Sequence, residues 1–217
     1  MSNSPQSDRT RVRRLPERGH YDKETLYSIV DSSLLCHVGF EVDGQPFVMP
    51  TLIARDGDSI LIHGSAASRM TRFGMAGGAM CIEVTHVDGI VMARSVFRHS
   101  VNYRSAVIFG NARGITDYDA KMDALEKFTE KLIPGRWDDA RPPSPIEMKA
   151  TAVIAIDIDE ASSKIRTGFP GDDEEDYALP VWAGVLPMRQ VFGEPIDDTR
   201  LTPGISVPDY IRSMVNE

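Results

Sequence analysis

Two Asp-Gly dipeptides, Asp43-Gly44 and Asp56-Gly57, constrain this chain more than any other feature. They cut residues 34–63 into three short apolar runs. In the first, Leu34, Cys36, Val38 and Phe40 alternate with other residues. The second covers residues 47–54. The third, residues 59–63, is rich in Ile and Leu. A turn this tight joins only antiparallel strands, because a parallel pair needs a crossover of about a dozen residues or more. The spacing therefore predicts an antiparallel meander. Further strands are expected at 80–87, at 90–93 after an Asp88-Gly89 turn, at 104–115 and at 151–158. Asp22 caps a short helix bearing Leu26, Ile29 and Val30 on one face. A second helix at 65–75 stops at Gly77-Gly78. The clearest, 119–132, carries Met122, Leu125, Phe128 and Leu132 on one stripe and ends at Pro134-Gly135. Ser144 and Pro145 open a short fourth. No strand–helix–strand alternation runs through the chain, which argues against a doubly wound sheet. About seven mostly antiparallel strands with a few helices predict a mainly β, α+β domain. A small β-barrel with helices outside removes the exposed edges.

The 217 residues suffice for one large domain with a real core. Acidic residues outnumber basic ones, 32 to 24, for a net charge of −8. That balance argues against nucleic acid as a partner, since phosphate affinity comes from Lys and Arg. The charge is uneven: five arginines stand in residues 1–20, read as a basic flexible arm, and ten acids in 171–217. Residues 172–176 are five consecutive acids and read as a solvated loop. No apolar run reaches the roughly 18 residues of a membrane span, and the start lacks the pattern of a secretory signal. Cys36 and Cys81 read as buried, reduced thiols, and a cytoplasmic location is expected. The body of the domain is placed at 21–190 and an irregular tail at 191–217.

The five histidines show no metal-ligand spacing, and there is no CxxC, so no metal site is expected. Neither GxSxG nor a P-loop or dinucleotide glycine motif is present. Residues 63–69, His-Gly-Ser-Ala-Ala-Ser-Arg, leave a strand, pass a glycine and enter a helix. Ser65, Ser68 and Arg69 are donors suited to a phosphate. An ordinary capped helix with exposed arginines fits the same residues, and both readings stand. Residues 94–105 are dense in donors, fitting either a solvated loop or a cofactor-facing one. Trp182, between Pro180 and Gly184, suits a pocket cap or a subunit interface.

These segments resemble one family. Pro50-Thr51-Leu52-Ile53-Ala54, then Leu61-Ile62-His63-Gly64-Ser65 with Ser68-Arg69, are similar to the pyridoxamine 5′-phosphate oxidase-like, FMN-binding split barrels. Residues 88–95, 99–105, 134–137, 164–168 and 181–185 resemble the subgroup related to nitroimidazole-resistance proteins. The resemblance implies an antiparallel Greek-key split barrel, a homodimer, and FMN at the subunit interface. Met49, Pro50, Thr51 and Ile53 would run along the flavin ring, and His63, Gly64 and Ser65 along the ribityl chain and phosphate. Ser68 and Arg69 would take the phosphate, Tyr103, Arg104 and Ser105 would make a polar contact to the flavin, and Trp182 would reach across the dimer.

The arginine-rich C-terminal motif of the vitamin B6 oxidases is missing, since residues 185–189 read Val-Leu-Pro-Met-Arg. A C-terminal histidine like that of the family's haem-degrading branch is missing too, His99 being the last. The resemblance thus implies flavin redox chemistry on some other small-molecule substrate or electron donor, with His63 the candidate for a proton role. The alternatives are a flavin-storage module without turnover and a deazaflavin-dependent reductase.

Overall fold

The computed structural model describes residues 6–215. A two-residue strand β1 (Gly19–His20) leads into helix α1 (Lys23–Asp31), where Asp22 accepts the Thr25 N–H as expected of its cap. Strands β2 (Leu35–Val42) and β3 (Gln45–Leu52) then form a hairpin. Its turn residues have positive φ, 53° at Asp43 and 78° at Gly44. That is the two-residue geometry whose twist matches the flanking strands. β4 (Ala54–Asp56) and β5 (Ser59–Ser65) make a second hairpin. After α2 (Arg69–Met75) come two long strands, β6 (Ala79–Met92) and β7 (Ser100–Gly114). Helices α3 (Tyr118–Leu132) and α4 (Pro145–Ala150) precede β8 (Thr151–Asp157) and β9 (Glu160–Arg166). β10 (Gly184–Pro187) and α5 (Asp209–Val215) finish the chain.

Every pairing is antiparallel, in the order β3-β2-β6-β7-β8-β5-β4. β9 joins β7 and β1, and β10 joins β6. The two ends of this path, β3 and β4, are consecutive in sequence and meet at Ile53. The sheet therefore closes on itself as a split barrel. The barrel is filled by Val38, Ile60, Ile62, Ile82, Ile108, Ile154 and Ile156, all fully buried, with Leu26, Ile29 and Val30 of α1 packed among them. Leu61, on the opposite face of β5, joins a smaller cluster with Ala124 and Phe128 of α3.

The structure corrects several local expectations. Residues 47–54 are not one strand of a meander. The run breaks at Ile53, which donates its N–H to Leu34 O and lets the chain pass from one hairpin to the other. Asp88-Gly89 is not a reversing turn either. The β6–β7 register shifts between Val87 and Gly89, so one long bulged strand replaces two short ones. The acidic run 172–176 is not wholly solvated. The Asp172 side chain is buried, accepting the Arg94 guanidinium and the N–H groups of Arg94 and Ser95. In the expected basic arm, Ser7 and Arg9 bind Glu160, Thr10 is buried and β1 pairs with β9; residues 1–5 lie outside the described residues. The expected irregular tail carries α5, whose Tyr210 hydroxyl meets Arg136 and Asp139.

Candidate functional site

Strand alternation decides where His63 points. Ile60 and Ile62 enter the main core, so Leu61 and His63 face α3. The His63 ring meets the Phe128 ring edge-on at 4.4 Å. Its Nδ1 is buried with no hydrogen-bond partner among the described residues. Burial pushes its pKa below the usual 6.5, which keeps the imidazole neutral at pH 7.

His63 forms part of the wall of a cavity of about 560 Å³. Leu52, Leu125, Phe128 and Leu132 make this wall apolar, while Trp137 and Arg141 stand among its polar members. Glu130 holds the loop that carries Trp137 by accepting the N–H groups of Gly135 (2.7 Å) and Trp137 (2.9 Å). These bonds hold the Glu130 carboxyl below its usual pKa. Arg141 forks onto Glu147 at 2.8 and 2.7 Å, and Glu147 closes a capping box with Ser144.

Of the sequence-derived site residues, His63 alone lines this cavity; the others within residues 49–69 lie on β3, the end of β5 and the turn into α2. Thr51 donates to His63 O at 3.4 Å, tying β3 to β5. Met49 and Pro50 are exposed on β3, whereas the Ile53 side chain is buried and only its backbone could face a ligand. Gly64 sits beside Thr71, whose hydroxyl donates to Ser65 O at 2.5 Å and fixes the loop. Ser68 caps α2, accepting the Thr71 N–H at 3.2 Å, so its oxygen is already engaged. The Arg69 guanidinium lies over the Phe47 ring at 4.3 Å and has no ion-pair partner among the described residues. It is thus exposed and available.

The other predicted cluster lies elsewhere in the chain. Tyr103, Arg104 and Ser105 pair with β6 and β9, not with β5. Arg104 is committed to Asp88 through two bonds of 3.0 and 2.9 Å, and Ser105 donates to Lys164 O at 3.3 Å. Trp182 is 66% exposed and lies against Gly184. Sequence reasoning missed the α3 wall of the cavity. Leu125, Phe128 and Leu132 read as an ordinary core stripe, and only the Pro134-Gly135-Arg136-Trp137 motif pointed to that region.

The chain belongs to the pyridoxamine 5′-phosphate oxidase family, a flavin-binding family whose model matches residues 22–165. It is 42% identical to the flavocytochrome Anf3 from Azotobacter vinelandii, with a TM-score of 0.91 and 98% of each chain covered. It is 36% identical to the FAD and haem binding protein from Mycobacterium smegmatis, with a TM-score of 0.87, over 91% of this chain and 97% of that one. A protein described as a 5-nitroimidazole antibiotic resistance protein from Bacteroides thetaiotaomicron shares the fold, at 20% identity and a TM-score of 0.57, over 68% of this chain and 86% of that one. No curated protein matches. Among the described residues no helix is long and apolar enough to cross a membrane, and no three His, Cys, Asp or Glu side chains cluster to hold a metal ion.

Proposed function

We propose that this chain is a redox protein that carries a flavin and a haem, with His63 as the protein ligand of the haem iron. One observation carries the haem half: a neutral, half-buried histidine in the wall of an otherwise largely apolar cavity of about 560 Å³. That volume lies within the roughly 300–1,000 Å³ of ligand pockets. A neutral imidazole nitrogen is a good iron ligand, and the protonated form is none. Leu52, Leu125, Phe128 and Leu132 would pack the faces of the macrocycle, and Trp137 would stand at its polar edge, with Arg141 held there by Glu147. Two relatives support the reading, one a flavocytochrome and one a FAD and haem binding protein.

The flavin half rests on family membership together with residues 49–69. The unpaired Arg69 suits the flavin phosphate, and Met49 and Pro50, exposed on the edge strand β3, suit its ring. FMN, the expectation from sequence, and FAD both carry that ring and phosphate. When bound, a flavin exchanges one or two electrons and a haem iron one, so together they couple two-electron donors to one-electron acceptors. Thr51 and Leu52 are neighbours on β3, one bonded to the His63 carbonyl and the other lining the haem cavity. The strand assigned to the flavin thus also borders the haem cavity.

Tyr103 and Ser105, remote from β5 in this chain's sheet, are proposed to serve the flavin of a second copy in a homodimer, with Trp182. Arg104, bound to Asp88, orients that strand. Anaerobic addition of NADH or NADPH tests the redox role. Bleaching of the flavin absorbance is expected, and a full spectrum unchanged by either nicotinamide and by dithionite would count against it.

A further inference from the structure

One wall of the cavity beside His63 belongs to no strand. Residues 133–143 connect α3 to α4 and bring Trp137, Ala140, Arg141 and Pro143 to the lining. Among the described residues, the hydrogen bonds of this connection run within itself and to α3, α4 and α5, and to none of the strands. Its two ends are anchored locally. Glu130 of α3 accepts the Gly135 and Trp137 N–H groups, and Arg141 forks onto Glu147 of α4.

The middle is held from far away in sequence, by Tyr210 of α5. The Tyr210 hydroxyl accepts from the Arg136 guanidinium at 2.9 Å and donates to Asp139, while Arg136 and Asp139 pair at 3.1 Å. The Tyr210 ring lies beside Gly135, where an added Cβ would stand 3.6 Å from the ring carbon Cγ. The match to the family model ends at residue 165, so this contact ties the cavity wall to a segment outside the shared domain.

α5 has few other holds. It is seven residues long and none of them is buried. A helix that short is not stable alone in water, so its order depends on the surface it docks against. Residues 197–206, which tether it, are exposed throughout. Ten extended residues span about 33 Å, enough for α5 to leave its seat without moving a strand. Elements with few buried contacts open at a free energy well below that of global unfolding.

We propose that α5 is a latch on this cavity. Docked through Tyr210, it holds residues 133–143 closed. Its release lets Trp137 and its neighbours swing outward and opens the cavity to its ligand, so that opening sets the rate of ligand exchange. That the ligand is haem rests on the reading above; the latch itself rests on the Tyr210 contacts.

Hydrogen exchange read by mass spectrometry tests the latch on the full-length protein as purified. Wild type is compared with Tyr210→Phe, which loses the hydroxyl and keeps the ring, and with Tyr210→Ala, which loses both. Amides of 133–143 should exchange about fivefold faster in Tyr210→Phe, the factor that one net hydrogen bond provides, and faster again in Tyr210→Ala. Amides of β5 and β7 should exchange as in wild type. Transfer of haem from the holoprotein to excess apomyoglobin should accelerate in the same order. Unchanged exchange at 133–143 in Tyr210→Ala would overturn the latch. So would acceleration spread over all the strands, which marks general destabilisation, or faster exchange at 133–143 with haem transfer unchanged, which reduces α5 to a buttress. Wild type purified without haem would refute the haem reading, and the exchange comparison, which needs no haem, would still decide the latch.

Discussion

At the scale of single residues, His63 and Arg69 define the proposed site, and both were legible in the sequence for different reasons. Arg69 was legible because a Gly-Ser-x-x-Ser-Arg turn into a helix has local anion chemistry. The structure leaves that arginine unpaired over Phe47. His63 was singled out only for its titration range, because its cavity is built from α3, far away in sequence. Its depressed pKa has a consequence for stability. A group that loses basicity on folding contributes stability that is present above its unfolded pKa, about 6.5, and lost as pH falls through the folded value. Chemical denaturation should therefore show stability falling below about pH 6.5, and His63→Leu should remove that part of the fall. The sign is opposite for Cys36. Burial pushes its thiol up to about 12, so its contribution is complete below about pH 9 and lost between there and pH 12. At pH 8 native Cys36 should resist alkylation and become labelled only on unfolding. Labelling at equal rates in both states would show that the thiol is not buried in solution.

At the scale of elements, the turn dipeptides revealed which strands form hairpins but not where strands change partners. β7 pairs with β9 up to Phe109 and with β8 from Ala112. Gly110 stands at that switch, where an added Cβ would lie 2.4 Å from Asp157 O and 2.8 Å from an Ile156 methyl group. The backbone carbonyl cannot rotate away as a flexible side chain could. Gly110→Ala should cost about 1–3 kcal/mol or more, the range of overpacking in a filled core. A midpoint equal to wild type in urea denaturation would refute this crowding. The break at Ile53 and the bulge at Gly89 were illegible for a related reason. Both arise from barrel closure and from the approach of β10, and neither leaves a local signal. An added Cβ at Gly89 would lie 3.0 Å from Leu186 O, a contact between segments almost a hundred positions apart.

At the scale of the whole molecule, the antiparallel barrel was readable from turns, alternation and the want of crossovers, and the family from its ordered short motifs. What the chain presents outward was less readable. Trp182, Leu186, Met188, Val191, Phe192 and Ile196 are all at least 46% exposed along one C-terminal stretch. Apolar exposure on this scale fits the proposed homodimer, whose interface is expected to bury on the order of 2,000 Å² or more. Light scattering should report twice the 24.0 kDa chain mass, and a stable monomer would remove the second chain from the flavin site. The central claim, that one barrel carries flavin and haem with the iron held by His63, is met most directly by one absorption spectrum. The purified protein and its His63→Ala variant are compared after expression with haem precursor. Wild type should show a haem Soret band together with flavin absorbance, and the variant should keep the flavin and lose the Soret band. A wild-type protein with flavin alone, or a variant whose haem content and spectrum match wild type, would contradict it.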